Sequence, residues 1–405
     1  MEKEVIEYFK AYGCEGMKVR RDIKMLVCGQ FFSRLGENVS NVALISLVYV
    51  SAPDYFGVSL LLLCMATAAM LAGICSGVFI DRVNKKYILL FCDGMRGVII
   101  LLFCLGASQG VMYFLAFLLS GLNSVFSSTM QAGVPEIAEE RELLTINSLL
   151  ETGESMAVIM GSVSGGLLVA TQGAYAAFYF DSVTYLISFL TIIGCPFRTV
   201  LADVKDKGAI WTGYMVGFRY LNNSSITRYL LISFSFFVFA AGIVNTLSIA
   251  YAVQVLQQGV QGFGYLEGAW GGGMVLGGLF VMNLTRKISL GKLYAASMLA
   301  AGVAMLLIPI QSYLYTAVIY FCLIGFGNMT AYIISSTLLQ KLTPRHVVGR
   351  VFAFRTVILR LVSLIAIGSA GDLIDRLGLE RTLGLAGVIL LAGCVMGWFS
   401  KSIKS

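Results

Sequence analysis

Ionisable side chains lie inside long apolar segments of this chain, where a charge is costly and commonly serves proton or substrate binding. Glu37 follows Arg34 by three residues in the first apolar segment, and Glu151 and Glu154 lie three apart in the fifth. A carboxylate that alternates between water and an enclosed cavity can couple a proton to cargo binding. We expect Glu37 to bind the proton, with Glu154 or Glu151 as a second site. The alternatives are a fixed Arg34–Glu37 pair and acids that cap a hydrated helix end.

The elements that must position these residues are membrane-spanning helices. Hydrophobic residues make up 58% of the 405 positions and charged residues 13%, against about 25% charged in soluble domains. Each apolar run is near the roughly 20 residues that cross a bilayer, and helices satisfy their own backbone. The sequence therefore predicts an all-α membrane protein with twelve transmembrane helices. Their approximate spans are 24–50, 57–80, 87–107, 111–133, 145–170, 175–198, 227–254, 263–284, 291–310, 313–339, 347–373 and 382–400.

The basic residues are distributed as topology requires. The net charge is +7, and most of the 29 Lys and Arg residues fall before the first span or in loops on one side of the predicted membrane. Cytoplasmic loops carry such an excess, so the charge indicates orientation rather than a nucleic-acid partner. We expect a multi-pass plasma-membrane protein with both termini in the cytoplasm and no cleaved signal sequence.

Several chemistries have little material in this sequence. The nine cysteines are scattered mostly through the spans without a CxxC pattern, and His346 is the only histidine. These residues give no metal-ligand spacing, and we expect His346 to occupy a loop. No GxxxxGK[ST] phosphate loop occurs. We therefore expect no metal, no cofactor and no enzymatic activity, and an ion gradient as the energy source.

The two halves of the chain echo each other. Ser127, Ser128, Thr129 and Pro135 correspond to Ser335, Ser336, Thr337 and Pro344, about half the chain later. Two parallel six-span repeats are the plan of one transporter class. The predicted domains are an N-terminal segment (1–23), a six-helix bundle (24–198), a linker with an amphipathic helix (199–226), a second six-helix bundle (227–400) and a tail (401–405).

One loop and three further motifs carry a family resemblance. GVFIDRVNKK, residues 77–86, resembles the loop signature of the major facilitator superfamily between spans 2 and 3. GQFFSRLGENVSNVAL (29–44) and CDGMRG (92–97) resemble its branch of macrolide-efflux and enterobactin-exporter proteins. GSVSGG (161–166) is similar to the span 5 element of drug and proton antiporters, with Ser162 where a proline usually stands. The antiporter-like positions are Gly161, Ser162, Gly165 and Gly166.

The resemblance implies a gate on the cytoplasmic side. In the family, the motif's aspartate, here Asp81, holds the two halves together when the cavity opens outward, and span 11 is its expected neighbour. The alternative is that this loop only fixes topology and attracts anionic membrane lipids through its basic residues. The predicted gate residues are Gly77, Asp81, Arg82, Lys85, Lys86, Arg350 and Arg355.

The resemblance also implies a central cavity between spans 1, 4, 7 and 10. We expect Asp93 and Arg96 to form a structural charge pair in span 3, and Asp181 and Glu267 to lie at solvated helix ends. Arg360 is expected to face Glu37, Glu154 or an anionic cargo. The predicted cavity residues are Arg34, Asn41, Asn123, Asn245, Tyr251, Asn328, Tyr332 and Arg360.

Together these features favour a monomeric transporter that exports amphipathic small molecules in exchange for protons. Uptake and lipid translocation stay open as alternatives, together with two further functions. Export of a siderophore or another self-made metabolite would use Arg34 and Arg360 to bind an anionic group. A transporter-like sensor or scaffold would no longer move cargo.

Overall fold

The architecture consists of long helices that run back and forth across the molecule. The computed structural model describes residues 21–51, 55–80, 83–106, 108–137, 143–195, 219, 225–285, 287–310, 312–343 and 348–398. These residues form twelve α-helices, which confirms the predicted all-α fold. The helices are α1 Arg21–Ser51, α2 Tyr55–Ile80, α3 Lys85–Leu102, α4 Gln109–Ile137, α5 Leu143–Gln172, α6 Ala174–Ile193, α7 Ser225–Ala250, α8 Gly259–Thr285, α9 Leu290–Leu307, α10 Leu314–Leu342, α11 Val348–Leu377 and α12 Leu379–Trp398.

Within the described ranges, nine of these helices are long and apolar enough to cross a membrane by length and composition alone. The other three are α1, α8 and α12. In α1 the apolar run is interrupted by Arg34 and Glu37, and α8 is rich in glycine, which adds little hydropathy. At 31, 27 and 20 residues, these three helices are nevertheless long enough to span a bilayer.

The helices pack as two six-helix bundles with the same internal order. In the first bundle α1 packs on α5 and α6, α2 on α4, and α3 on α4 and α6. In the second, α7 packs on α11 and α12, α8 on α10, and α9 on α10 and α12. The bundles meet where α2 contacts α11 and α5 contacts α8. These two contacts are equivalent, because α2 corresponds to α8 and α5 corresponds to α11.

Most residues between and beyond the bundles lie outside the described ranges. These are residues 1–20, nearly all of the 199–226 linker and the 401–405 tail. The amphipathic linker helix and the domain boundaries therefore stay predictions.

Close backbone contact inside the second bundle depends on glycine. A Cβ added at Gly273 of α8 would collide with the carbonyl of Cys322 on α10, and one added at Gly325 would collide with that of Trp270. Because backbone atoms cannot rotate away as a side chain can, only glycine allows α8 and α10 to cross at this distance.

The two bundles contact each other from the middle of the spans to one end. We call the end where α1, α3, α5, α7, α9 and α11 begin the inner end, and the opposite end the outer end. Toward the outer end, Gly264 of α8 lies against Gly166 of α5. Gln254, in the π-helical turn after α7, donates a hydrogen bond to the Tyr49 hydroxyl of α1 at 3.0 Å. The structure is thus sealed between bundles at its outer end.

Candidate functional site

The centre of the first bundle contains a hydrogen-bonded group of charged side chains. Arg34 Nη1 donates to Glu37 Oε2 at 2.9 Å, one turn along α1. Asn123 Nδ2 of α4 donates to the other carboxylate oxygen, Glu37 Oε1, also at 2.9 Å. Both oxygens of the leading proton-site candidate therefore have partners, one charged and one neutral.

The same amide connects Glu37 to a second charge pair. Arg96 Nη1 of α3 donates to Asn123 Oδ1 at 2.9 Å, and its Nη2 donates to Asp93. Ser188 of α6 donates to the other Asp93 oxygen at 2.7 Å. The predicted Asp93 and Arg96 pair is therefore one end of a continuous chain of polar contacts.

Burial explains why Arg96 needs several partners. Arg96 is only 1% exposed, and its guanidinium lies 4.0 Å from the ring centre of Phe126 and 4.6 Å from that of Tyr185. A cation removed from water needs a carboxylate and further favourable contacts to compensate for lost hydration. Helices α3, α4 and α6 supply them, although the Arg96 Nε has no hydrogen-bond partner among the described residues.

Water reaches the opposite end of the chain of contacts. Arg34 Nε lies 3.8 Å from Glu154 Oε1 of α5, and the Glu154 side chain is 49% exposed. Both residues line an open cleft in the inner half of the first bundle, between α1, α4 and α5. Polar side chains there, including Gln30 and Ser127, face apolar ones such as Phe31, so the cleft suits an amphipathic molecule.

The charges in this network do not cancel. Three carboxylates, Glu37, Asp93 and Glu154, accompany two guanidinium groups, Arg34 and Arg96. Water around half-exposed Glu154 solvates part of this surplus charge, and one bound proton would remove it. Glu151 lies one turn before Glu154 in α5, but its side chain is outside the described part of the structure.

Asp181 overturns the expectation of a solvated helix end, because it is fully buried. Ser40 of α1 donates to one of its oxygens, and Thr184 donates to the other at 3.1 Å. The helix α6 turns this carboxylate toward α1 rather than toward water. Asp181 thereby connects α6 to α1 through a hydrogen bond beside the charged network.

The described gate lysines make contacts within the first bundle. Lys85 forms a buried ion pair with Glu136 of α4. Lys86 Nζ donates to the carbonyls of Ile193 and Cys195, at 2.7 and 3.0 Å, where α6 ends. These contacts fasten α3 to its neighbours rather than to the other bundle. Residues 81 and 82 lie outside the described part of the structure, and so do the side chains of residues 77 and 350. The predicted gate is therefore untested.

Arg355, the remaining gate candidate, points into the second bundle. Its two terminal nitrogens donate to Ser336 Oγ at 2.7 Å and Ser335 Oγ at 2.8 Å, both on α10. The side chain is 4% exposed. Its contacts with the described residues are therefore all within its own bundle.

The predicted cavity residues separate into different environments. Asn41 and Asn328 are half-buried, while Asn245, Tyr332 and Arg360 are exposed. Arg360 forms no ion pair with a described residue, so neither Glu37 nor Glu154 is its partner here.

Tyr251 requires a correction. It is completely buried, and its hydroxyl donates to the carbonyl of Ile308 at 3.0 Å. The π-helical turn that begins at Tyr251 points this ring toward α9, so it stabilises the second bundle instead of lining a cavity.

The antiporter-like motif lies where three helices meet. A Cβ at Gly161 would lie 2.8 Å from the Leu35 carbonyl, and one at Gly165 would lie 2.9 Å from Val39 Cα, so these two glycines fit α5 against α1. Gly166 and the Ser162 carbonyl instead contact Gly264 of α8. The motif thus connects the helix that carries Glu37 to the seal between bundles.

Two clusters of hydrogen-bonded side chains in the structure were not predicted from the sequence. Glu267 of α8 accepts hydrogen bonds from Ser248 at 3.2 Å and Asn245 at 3.4 Å, and no cation among the described residues pairs with it. The bonded side of α6 was also missed. Its polar residues Asp181, Thr184 and Ser188 recur at helical spacing in the sequence, a signal that predicts one polar face.

Comparison with known proteins identifies the family from the sequence. The sequence pattern of the Major Facilitator Superfamily matches residues 26–367. An uncharacterized MFS-type transporter of Bacillus subtilis, YfmI, is 23% identical over 291 residues, 71% of each chain. The lysophospholipid transporter LplT of Yersinia pestis is 28% identical over 225 residues, 54% of this chain and 53% of that protein.

Solved structures share the fold at low sequence identity. A mutant of the nucleoside transporter NupG matches with a TM-score of 0.80 at 10% identity, covering 95% of this chain and all of that one. A bacterial homolog of the lysosomal transporter Spinster, described as inward-facing, matches with a TM-score of 0.73 at 12% identity, covering 95% and 98%. A bacterial homologue of the iron transporter ferroportin, also inward-facing, gives 0.72 at 14%, covering 93% and 100%.

Proposed function

We propose, from the premise that this chain belongs to the Major Facilitator Superfamily, that it exports amphipathic small molecules in exchange for protons by alternating access. The observation that supports this most directly is the network from half-exposed Glu154 to buried Asp93, with three acids and two bases. One bound proton neutralises the surplus negative charge of such a network and so stabilises it. The cleft at its exposed end accepts a molecule with polar and apolar parts.

Coupling follows from the shared partner of two acids. Arg34 is bonded to Glu37 and lies 3.8 Å from Glu154. A proton on Glu37 removes the charge that holds Arg34, which is then free to pair with Glu154 and to narrow the cleft. Cargo that occupies the cleft opposes this movement and favours proton release. The two ligands therefore weaken each other's binding by the same factor, as exchange requires.

The alternation itself is proposed to depend on two seals. The outer seal, formed by Gly166 and Gly264 together with the Tyr49 and Gln254 hydrogen bond, is closed in this structure. In the other state we propose that Asp81 closes the inner end against the start of α11, as the family resemblance implies. We further propose that the inner end is cytoplasmic, that the protein lies in the plasma membrane and that it works as a monomer.

The cargo has one competing candidate with support of its own. The relative LplT is named a lysophospholipid transporter, and a lysophospholipid is itself an amphipathic molecule. Membership of the macrolide-efflux and enterobactin-exporter branch, and a siderophore as cargo, rest on the sequence motifs alone. A sensor or scaffold role would leave the three-acid network without a purpose.

Transport into inverted membrane vesicles tests the proposal. A pH gradient with an acidic interior should drive uptake of a macrolide or an amphipathic dye by the intact protein, whereas Glu37→Gln should abolish the dependence on the gradient. Glu380→Gln is the matched control, because that acid is exposed at the start of α12, away from the network. Uptake that ignores the gradient, or that Glu37→Gln leaves unchanged, would refute proton exchange. Parallel assays with a lysophospholipid and a catechol siderophore distinguish the cargo candidates.

A further inference from the structure

Arg355 is a buried guanidinium that has no carboxylate partner among the described residues. It is 4% exposed, and its hydrogen bonds among the described residues go to the hydroxyls of Ser335 and Ser336. No described acid forms an ion pair with it. Its five N–H donors therefore exceed the two acceptors that the described part of the protein provides.

In the first bundle, each of two arginines forms an ion pair with a carboxylate of its own helix. Arg34 is bonded to Glu37, and Arg96 to Asp93, both within one helical turn. An intramembrane cation without such a partner is costly. The absence of a described partner for Arg355 indicates that an anion reaches this group during the working cycle.

Three aromatic rings surround Arg355 near the inner end. The guanidinium lies 5.2 Å from the ring centres of Phe234 and Tyr332 and 5.8 Å from that of Phe352. Tyr332 is 46% exposed, so this wall is accessible. Arg355 is seven residues from Val348, where α11 begins, or about 10 Å along the helix from the inner end.

These features favour one chemical class of ligand. A guanidinium presents a planar fork that matches the oxygens of a phosphate or a carboxylate. The adjoining aromatic rings provide apolar surface for a hydrocarbon chain. We propose that Arg355 binds the anionic phosphate or carboxylate group of a single-chain amphiphile, which rests on the proposed transport of amphipathic cargo.

Equilibrium binding to the purified full-length protein tests this assignment without a proton gradient. The probes are lysophosphatidylglycerol, a neutral monoacylglycerol with the same acyl chain, and inorganic phosphate. The wild type should bind the anionic amphiphile at least tenfold more tightly than the neutral one, equivalent to about 1.4 kcal/mol. Arg355→Gln should remove this preference and leave the affinity for monoacylglycerol within about twofold. Equal affinities in the wild type would overturn the proposal, and displacement of monoacylglycerol by phosphate alone would overturn the assignment to an amphiphile.

Two variants guard against a merely structural explanation. Arg376→Gln removes an exposed guanidinium from the outer end of the same helix, and it should leave the anion preference intact. Arg355→Lys keeps the charge but loses the fork, so it should weaken anionic binding at least threefold while neutral binding persists. If Arg355→Gln does not fold, an unchanged preference in Arg355→Lys would refute the proposal.

The outcomes also separate this inference from the proposed function. Proton-driven transport without an anion preference would reject the role of Arg355 alone. An anion preference that depends on Arg355, in a protein whose transport ignores the pH gradient, would reject proton exchange alone.

Discussion

Widening the outer seal should shift the protein toward the state that is open at that end. A Cβ added at Gly264 would lie 2.7 Å from the Ser162 carbonyl oxygen and 2.8 Å from Gly166 Cα. Carbon contacts are comfortable at about 3.5 Å or more, so Gly264→Ala must separate α5 from α8 by roughly 0.7 Å. Overpacking of this kind costs about 1–3 kcal/mol. Because this cost destabilises only the sealed state, the equilibrium constant should shift toward the state open at the outer end by about 5- to 150-fold.

Distance measurements between spin labels can follow this shift. Labels at Gln172 and Leu377, at the outer ends of α5 and α11, would be introduced after replacement of the nine native cysteines. Gly264→Ala should populate longer distances. The control is Gly272→Ala on the same helix, where an added Cβ meets no atom within 4 Å. An unchanged distribution in Gly264→Ala, or an equal shift in the control, would refute the assignment of the seal.

Three further substitutions test other contacts. Lys85→Met leaves Glu136 buried without its partner and should lower the free energy of unfolding by about 3 kcal/mol, measured by thermal unfolding in detergent; an unchanged midpoint would contradict the buried pair. Asn123→Leu removes the amide that bridges the two guanidinium–carboxylate pairs. It should lower the free energy of unfolding by about 1.5–3 kcal/mol and should also abolish proton-coupled transport. Glu267→Gln keeps the contact with Ser248 but removes a carboxylate without a described cation, so it should raise the midpoint of thermal unfolding, and a lowered midpoint would contradict the cost of this charge.

The number of helices could be predicted because it depends on local composition. An apolar run near membrane-spanning length favours a helix whatever its neighbours are, and each of the twelve predicted runs corresponds to a helix of the structure. The duplicated Ser-Ser-Thr segments at 127–129 and 335–337 likewise indicated the two bundles. Neither inference needs to know how any helix is rotated about its own axis.

The network depended on information that the sequence does not display. Asn123 and Glu37 are 86 residues apart, and their contact requires α4 and α1 to turn the right faces toward each other. The Arg34 and Glu37 pair could be anticipated because both residues are on one helix, three apart. What could not be anticipated is that Asn123 would connect this pair to Arg96.

Charged residues at helix ends were the least predictable. Basic residues in an inner loop were expected to act at a gate or to fix topology, yet Lys85 and Lys86 bind an acid and two carbonyls inside the first bundle. Asp181 was expected in solvent because it lies in the outer part of its span, but hydroxyl donors on two helices allow its burial. Position along a span predicts hydration poorly when a neighbouring helix supplies hydrogen bonds.

The claim that cargo binding expels a proton from the network can be measured directly in purified protein. Addition of a transported cargo to a weakly buffered sample should release about one proton per molecule, detected with a pH-sensitive dye, because the three acids exceed the two bases by one. The release should vanish in Glu37→Gln. Binding of cargo with no release in the wild type, or with equal release in the variant, would contradict the account.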